Sequence, residues 1–210
     1  MPTIEDFLQG DVLKKAQLQD VVARIIFNTV SDAVLHGGTC VWRCYGGKRF
    51  SKDIDIYIAK DSTIKKVLNK LAQSGLTVEK DAQRRSTRLY TVKGSTEISF
   101  QIRKKHVESE VVPYFLVDGT MMDVYAISPE AAILEKISAY SDRGLERDLY
   151  DIKVLISSVI DKSIVKGELM EFIMSIKKPK DRGALKGLVY EGIIPDFEEM
   201  VRYIERWCEA

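Results

Sequence analysis

Two spacings of apolar residues alternate along the first part of this 210-residue chain. Apolar residues three and four positions apart predict helices over residues 4–31 and 62–74. Short apolar runs and alternating apolar and polar residues predict strands, which lie at residues 33–35, 53–58, 76–79, 88–92, 97–103 and 121–126. We therefore expect a small mixed sheet that is flanked by helices.

The pattern changes at Ser128-Pro129, a capping serine followed by proline at the first position of a helix. Every apolar segment beyond this point has helical spacing, which predicts helices over residues 131–140, 145–160, 165–176, 182–191 and 196–208. The predicted fold class is accordingly α+β. We expect two parts: residues 1–127 with the sheet and the N-terminal helices, and residues 128–210 as a C-terminal helical region.

The net charge of +1 does not favour nucleic acid, so any contact with phosphates must come from local clusters of cations. The sequence contains three such clusters, and each fits a phosphate-binding surface or an ordinary solvated surface. They are Arg84, Arg85 and Arg88; Arg103, Lys104, Lys105 and His106; and Lys177, Lys178, Lys180 and Arg182.

No apolar run approaches the roughly 20 residues that cross a bilayer, and the first residues lack the features of a signal peptide. We therefore expect a soluble cytoplasmic protein without a membrane partner. The odd number of cysteines, three, argues against a disulfide framework. Cys40 and Cys44 are one helical turn apart, but the nearby His36 precedes a glycine turn, so buried free thiols are a better interpretation than zinc ligands.

The densest candidate chemistry lies between residues 35 and 58, where a glycine turn precedes two carboxylates. Gly37 and Gly38 let the backbone approach a ligand, and the N–H groups at the start of the next helix attract phosphate. Thr39 is placed to cap that helix or to donate a hydroxyl group to the ligand. Asp53 and Asp55 alternate with isoleucines and so face the same side of a strand, where their oxygens suit Mg²⁺ or Mn²⁺.

Glu97 is our candidate for a third metal ligand, because it stands on the polar side of a predicted strand. Three such carboxylates hold one or two divalent ions against a nucleoside triphosphate. An ordinary surface glutamate is an equally good interpretation of this residue.

A second group of charged residues lies at the predicted junction of two C-terminal helices. Lys136 is on the first helix, and Arg143, Arg147, Asp148 and Asp151 surround the turn that opens the next one. Helix capping and pairing at i, i+4 explain part of this pattern. A triphosphate also needs cationic partners, so we interpret the group as a candidate nucleotide contact.

The two groups together resemble the AbiEii-type nucleotidyltransferases, toxins of abortive-infection toxin–antitoxin pairs within the DNA polymerase β-like nucleotidyltransferase superfamily. The resemblance covers about residues 33 to 157. It rests on Gly37-Gly-Thr with Arg49-Phe-Ser-Lys-Asp-Ile-Asp55, on Lys136 with Arg143 and Arg147-Asp-Leu-Tyr-Asp151, and on the strand Thr96-Glu-Ile-Ser-Phe100. It implies a polymerase β-like core. The superfamily's usual glycine-serine turn is Gly37-Gly38-Thr39 here, as is common in the AbiEii branch.

The resemblance also implies roles for individual residues. Asp53 and Asp55 are implied metal ligands and, with Lys136 and Asp148, catalytic residues, Asp148 as the base that activates the acceptor hydroxyl. The implied nucleotide-binding residues are Gly37, Gly38, Thr39, Arg49, Ser51, Lys136 and Arg143.

We therefore expect a nucleotidyltransferase that uses Mg²⁺ or Mn²⁺, held by Asp53, Asp55 and Glu97, to move a nucleoside monophosphate from an NTP to a hydroxyl group. In related enzymes the acceptor is a tRNA 3′ end, a protein side chain or a small molecule. The resemblance also implies an antitoxin partner. Two alternatives stay open: a binding module of the same fold that binds a nucleotide or partner without turnover, and a nucleic-acid-binding protein whose carboxylates are structural.

Overall fold

The structure is a computed structural model that describes residues 2–84 and 86–210, with Arg84 described by its backbone. The prediction of a cation at Arg85 thus lies outside the described residues. The chain forms two compact units. The first comprises residues up to Cys44 together with Ser51–Ile127, and the second comprises Tyr45–Phe50 with Ser128–Ala210. The division at residue 128 lies where the sequence pattern changes, whereas the assignment of residues 45–50 to the second unit differs from the predicted boundaries.

The described residues of the first unit form one seven-stranded mixed sheet with the order β3-β4-β5-β2-β1-β7-β6. Strand β2 pairs in parallel with β5 and antiparallel with β1, which pairs in parallel with β7. The other neighbours are antiparallel. The strands are β1 (Val34–His36), β2 (Asp53–Tyr57), β3 (Thr77–Arg84), β4 (Thr87–Lys93), β5 (Glu97–Arg103), β6 (Glu110–Phe115) and β7 (Met121–Ala126). The α+β class and the mixed sheet are confirmed.

Strand β6 is absent from the sequence prediction because Pro113 interrupts its pattern. Proline cannot donate a ladder hydrogen bond and is therefore confined to sheet edges. Strand β6 is an edge strand, paired only with β7 among the described residues. The proline is therefore compatible with its place in the sheet.

Three helices belong to the first unit: α1 (Gly10–Thr29), α2 (Gly37–Cys44) and α3 (Asp61–Gln73). Helices α1 and α3 pack against each other and against β5 and β3, respectively. Their buried residues meet the buried residues of the strands in one core, which includes Val22, Ile26, Ile64, Val67, Leu71, Ile54, Ile56, Ile98, Phe100 and Ile102.

The alternation of strand β2 places its aspartates on the face opposite to this core. Ile54 and Ile56 are fully buried, whereas Asp53 and Asp55 are half-buried. Successive side chains of a strand point to opposite faces, so burial of the isoleucines fixes the direction of the carboxylates.

A buried arginine links α2 to other parts of the first unit. The Arg43 guanidinium donates hydrogen bonds to the carbonyl oxygens of Phe115 and Ala16, each at 3.1 Å, and lies 3.0 Å from Asp20. Burial raises the pKa of Asp20, and the positive charge of Arg43 opposes this shift. The pair therefore keeps two charged groups in a protein core.

The second unit contains α4 (Pro129–Arg143), α5 (Glu146–Leu155), α6 (Lys166–Ser175) and α7 (Phe197–Glu209). Helix α4 begins as predicted, since the Ser128 side chain accepts a hydrogen bond from the Ala131 N–H. Its last residue is Arg143, and it is followed by the capping residue Gly144, whose φ is +64°. The helices enclose a second core that includes Ile133, Leu149, Ile152, Leu169, Phe172, Met200 and Ile204.

The predicted helix over residues 182–191 is wrong. Only a 3-10 turn, Ala184–Gly187, forms there, and Val189 instead pairs with Arg49 in an antiparallel bridge. Gly183 precedes this turn and Gly187 is its last residue, and a helix interior disfavours glycine because of its backbone entropy.

All three cysteines are buried free thiols, in agreement with the interpretation of the sequence. Within residues 2–84 and 86–210, no helix combines the length and the apolar character needed to span a membrane.

Replacing Arg43 with alanine should lower the free energy of unfolding by about 3–5 kcal/mol, because the Asp20 carboxylate stays buried without its cation. Urea unfolding followed by circular dichroism measures this loss. The control is Lys15→Ala, which removes an exposed pair with Asp11 and should cost less than about 1 kcal/mol. Equal losses for the two variants would contradict a role for the buried pair.

Candidate functional site

The Asp55 carboxylate rests against the glycine turn. Gly37 joins β1 directly to α2 with a φ of +73°, which glycine adopts readily. The β1–β2 ladder pairs His36 with Asp55 and so brings this carboxylate beside the turn. A Cβ atom on residue 37 would overlap Asp55 Oδ2 and lie 3.0 Å from its Cγ atom. Only glycine therefore leaves room for the carboxylate at the start of α2.

The start of the aspartate strand is held by two side chains of the same unit. The hydroxyl of Thr39, which is buried, donates hydrogen bonds to the carbonyl oxygens of Asp53 and Ser51. The buried Gln19 of α1 donates a second hydrogen bond, of 2.7 Å, to the Ser51 carbonyl. Thr39 thus positions β2 instead of capping α2. Gln19 was missed by sequence reasoning, although a glutamine within the apolar stripe of α1 is the signal that could have found it.

The register of β5 does not place Glu97 with the aspartates. Asp53 pairs with Ser99 and Asp55 with Gln101, while Glu97 lies two residues before Ser99 and opposite Lys93 of β4. Among the described residues, no group of three His, Cys, Asp or Glu side chains is placed to hold a metal ion. The structure therefore groups Asp53 with Asp55 but does not bring Glu97 to them, because strand register, and not residue type, decides which side chains meet.

Asp53 and Asp55 fit a divalent cation without a third carboxylate. Their side chains share one face of one strand, and both residues are half-buried. Two carboxylates this close repel each other unless a cation or a proton compensates them. Magnesium is commonly held by one or two carboxylates together with substrate phosphates and water.

The second unit contains a group of five charged side chains, which we name the α4–α5 ion cluster. Lys136 Nζ lies 2.6 Å from Asp151 Oδ2 and 3.4 Å from Asp148 Oδ1. Both oxygens of Asp148 accept hydrogen bonds from Arg143, each at 2.7 Å. Both oxygens of Asp151 accept hydrogen bonds from Arg49, at 2.6 and 2.5 Å. The cluster holds three cations and two carboxylates.

Most of the α4–α5 ion cluster is removed from solvent. Asp148 and Asp151 are fully buried, and Arg49 and Lys136 are 3% and 6% exposed. The Arg143 side chain, by contrast, is 41% exposed. The five side chains of the cluster sum to a charge of +1, and Arg143 is the one that is substantially exposed to solvent. A largely buried group with a positive net charge favours an anion.

The buried pair of Arg49 and Asp151 is charged at neutral pH. Burial raises the pKa of Asp151, but Arg49 and Lys136 lower it more strongly, so the pKa falls below its usual range. Burial lowers the pKa of Arg49, and Asp151 raises it above its usual value. Because the folded pKa of Asp151 is below the unfolded one, its stabilisation is present above about pH 4 and is lost as the pH falls through the folded pKa.

These contacts bear on two of the predicted roles. Arg49 Nε and Nη2 donate to Asp151, and Nη1 donates to the carbonyl oxygen of Phe50 at 3.3 Å, so little of the guanidinium remains for a nucleotide. Asp148 accepts hydrogen bonds from Arg143 at both oxygens and from Lys136 at one of them, so its observed partners are cations.

The structure thus gathers the predicted residues into two groups. Gly37, Gly38, Thr39, Ser51, Asp53 and Asp55 come together in the first unit, and Arg49, Lys136, Arg143 and Asp148 in the second. Asp151 is a further member of the second group. The Arg-Asp-x-x-Asp sequence contains it, but its partner Arg49 is 102 residues away, so sequence reasoning did not predict this pair.

Comparisons with known proteins give one family. A family model described as the nucleotidyl transferase AbiEii toxin of a type IV toxin–antitoxin system matches residues 25–202. No curated protein matches the sequence.

Solved structures show the fold. MenT4, a nucleotidyltransferase toxin from Mycobacterium tuberculosis H37Rv, is 17% identical, with a TM-score of 0.72 over 94% of this chain and 82% of that chain. A putative nucleotidyltransferase from H. pylori is 20% identical, with a TM-score of 0.60 over 96% and 95% of the two chains. The antibiotic-resistance factor ANT(2″)-Ia is 12% identical, with a TM-score of 0.51 over 78% and 92%. The predicted nucleotidyltransferase fold is therefore confirmed.

Replacing Gly37 with alanine should weaken Mn²⁺ binding at least about tenfold, because the new methyl group displaces the Asp55 carboxylate. Electron paramagnetic resonance of free Mn²⁺ measures the affinity. The matched control is Gly75→Ala, since Gly75 also has a positive φ, +82°, but an added Cβ would meet nothing within 4 Å. Both variants should lose about 1 kcal/mol or more of stability through backbone strain. Equal Mn²⁺ affinities would exclude Asp55 as a ligand.

Proposed function

Because the chain belongs to the AbiEii family of nucleotidyltransferase toxins, we propose that it transfers a nucleoside monophosphate from an NTP to a hydroxyl acceptor, releasing pyrophosphate, with Mg²⁺ or Mn²⁺ as cofactor. The observation that carries the proposal is the fit of the Asp55 carboxylate against Gly37, on the same strand face as Asp53. A carboxylate packed against this glycine is difficult to explain by folding alone, because a neutral residue at position 55 would fill the same space at a lower electrostatic cost.

In this proposal the residues of the first unit bind the metal and a phosphate. Asp53 and Asp55 hold the ion, which when bound favours deprotonation of the acceptor hydroxyl and neutralises charge on the leaving pyrophosphate. The backbone N–H groups of Gly37 and Gly38, at the start of α2, donate to a phosphate. Thr39, together with Gln19, keeps the strand and its carboxylates in place.

In the second unit, the α4–α5 ion cluster supplies positive charge for a phosphate group. Lys136 has three ammonium protons and two carboxylate neighbours, so one proton remains for a phosphate oxygen. The exposed part of Arg143 serves the same purpose. We assign Asp148 the task of holding these two cations, in place of the base inferred from the resemblance.

We further propose that the acceptor is RNA, with a tRNA 3′ end as the form that the resemblance favours. Residues 60–105 carry twelve lysines and arginines against four carboxylates, a net charge of +8, whereas the rest of the chain carries −7. Asp61 pairs with Arg88 and Lys104, but no ion pair among the described residues involves Lys65, Lys66 or Lys70 of α3. Unpaired exposed cations on one segment suit phosphates.

The family description also supports an antitoxin partner, and an NTP substrate with an RNA acceptor agrees with a cytoplasmic location. The following experiment distinguishes this proposal from two alternatives. The first is a protein acceptor, and the second is a module that binds an NTP without turnover.

Purified protein incubated with each α-³²P-labelled NTP, Mg²⁺ and total RNA or cell lysate should transfer label to RNA. Asp53→Ala should lower the rate at least about a hundredfold, because several kcal/mol of metal stabilisation are lost. Asp123→Ala is the control, since Asp123 is an exposed aspartate on another strand, β7. Transfer of the label to protein instead of RNA would contradict the proposal that the acceptor is RNA. Binding of Mg²⁺–NTP without any transfer would favour the binding module.

The double variant Lys65→Glu/Lys66→Glu should bind RNA at least about tenfold more weakly and with a salt dependence reduced by about two phosphate contacts. Filter binding over a range of KCl concentrations measures both quantities. The control with the same charge change is Lys166→Glu/Lys186→Glu, which alters exposed lysines of the second unit. Equal effects of the two double variants would mean that net charge, and not this segment, governs binding.

A further inference from the structure

An open cavity of about 460 Å³ lies on the surface of the second unit, and this volume is in the range of small-molecule sites. Helix α7 lines the cavity with Glu199, Arg202, Tyr203 and Arg206, whose spacing of three and four residues places them on one face of the helix. Lys153 of α5 lines it as well. All five residues belong to the second unit, and none of them is a member of the α4–α5 ion cluster.

The core of the second unit does not use this face of α7. The buried residues of the helix are Met200, Ile204 and Cys208. Arg202, Tyr203 and Arg206, by contrast, are exposed. Folding of the helix therefore does not account for an exposed tyrosine and two exposed arginines that line one cavity.

Positive charge predominates in the cavity. Lys153, Arg202 and Arg206 line it, and no ion pair in the described part of the chain involves any of them. Glu199 is the one carboxylate among the described lining residues, and its Oε2 atom accepts a hydrogen bond of 2.8 Å from the Asp196 N–H in the capping box of α7. Three cations against one carboxylate give a net charge of +2, which favours an anion.

Tyr203 adds an aromatic surface beside these cations. The residue is 42% exposed, so part of its ring is accessible to a ligand. Lys153 Nζ lies 5.3 Å from the centre of the ring, a cation–π contact that holds the ammonium group beside it. Ile193, which also lines the cavity and is almost completely exposed, adds apolar area. Proteins that bind nucleotide chains combine accessible rings, on which bases stack, with cations that bind the phosphates.

The ring and the cations together indicate the class of ligand. An inorganic anion would contact the cations and leave the ring unused, whereas an apolar ligand would contact the ring and leave the cations unused. We propose that the cavity binds a nucleotide, with the base stacked on Tyr203 and the phosphates bound by the three cations. Single-stranded RNA and a free nucleoside triphosphate share this chemistry, and the experiment below distinguishes them.

This site goes beyond the proposed function, because none of its residues has a role in the proposed transfer. The competing explanation is an ordinary solvated face of α7, on which Arg206 in the last turn compensates the helix dipole. That explanation requires no affinity for a base and no dependence of binding on an aromatic ring.

The first test measures the contribution of the ring. Fluorescence anisotropy follows the binding of a fluorescein-labelled oligouridylate of about six nucleotides, in EDTA so that no metal ion takes part. Tyr203→Leu should bind at least about fivefold more weakly, because base stacking on the ring is lost. Tyr203→Phe is the matched control, since it keeps the ring and should bind as the wild type does. Circular dichroism checks that each variant is folded.

The second test measures the contribution of the cations. Arg202→Gln/Arg206→Gln should weaken binding at least about tenfold and reduce the salt dependence by about two phosphate contacts. The control with the same charge change is Lys166→Gln/Lys186→Gln, which alters exposed lysines of the same unit that do not line the cavity. It should change the affinity less than about twofold.

All proteins in both tests carry Lys65→Glu/Lys66→Glu, so the result does not depend on the RNA contact that the proposed function assigns to α3. Competition with unlabelled UTP identifies the source of the nucleotide. Displacement of the oligomer by UTP, with the same loss in Tyr203→Leu, assigns the cavity to a free triphosphate, whereas Tyr203-dependent binding of the oligomer alone assigns it to single-stranded RNA. Wild-type affinity of Tyr203→Leu, or equal losses in the two double variants, would overturn the proposal.

Discussion

The site of the first unit depends on the register of β2, the central strand of the sheet. Ile54 and Ile56 are completely buried, and Asp53 and Asp55 alternate with them. A shift by one residue would turn the isoleucines outward and both carboxylates into the core. Loss of the two apolar side chains alone would cost about 3–6 kcal/mol, and each unpaired buried carboxylate several kcal/mol more. The core therefore orients the carboxylates before any ligand binds.

The charged site of the second unit contains more cations than carboxylates, whereas the site of the first unit is built on two carboxylates. The α4–α5 ion cluster holds three cations and two carboxylates, and every carboxylate oxygen in it accepts from a cation. Folding alone would be served as well by equal numbers, or by apolar residues of similar volume, because buried ion pairs contribute little net stability. A third cation in this cluster is compatible with the phosphate contact of the proposed function.

Local pattern was sufficient to predict several features. The two-residue period of β2, the turn at Gly37 and the Ser128-Pro129 start of α4 are each encoded by neighbouring residues, and they form as expected. Features that depend on distant pairing could not be derived in this way. The place of Glu97 could not be derived because the parallel register of β5 against β2 is set by the whole core. Residues 188–190 were assigned to a helix because the segment they pair with, residues 48–50, is about 140 positions away. The same limit hid the role of Gln19 and the pairing of Asp151 with Arg49.

The aspartates of β2 and those of the α4–α5 ion cluster differ in what surrounds them, and this difference decides their chemistry. A divalent cation approaching Asp148 or Asp151 would be repelled by Lys136 and by a guanidinium already bonded to each carboxylate. No ion pair in the described part of the chain involves Asp53, and Asp55 is kept at the start of α2 by the space that Gly37 leaves. The β2 pair is thus better placed than the buried pair of α5 to accept a metal ion. In the proposed function, the two carboxylates of β2 bind the ion, and the two carboxylates of α5 hold cations within the second unit.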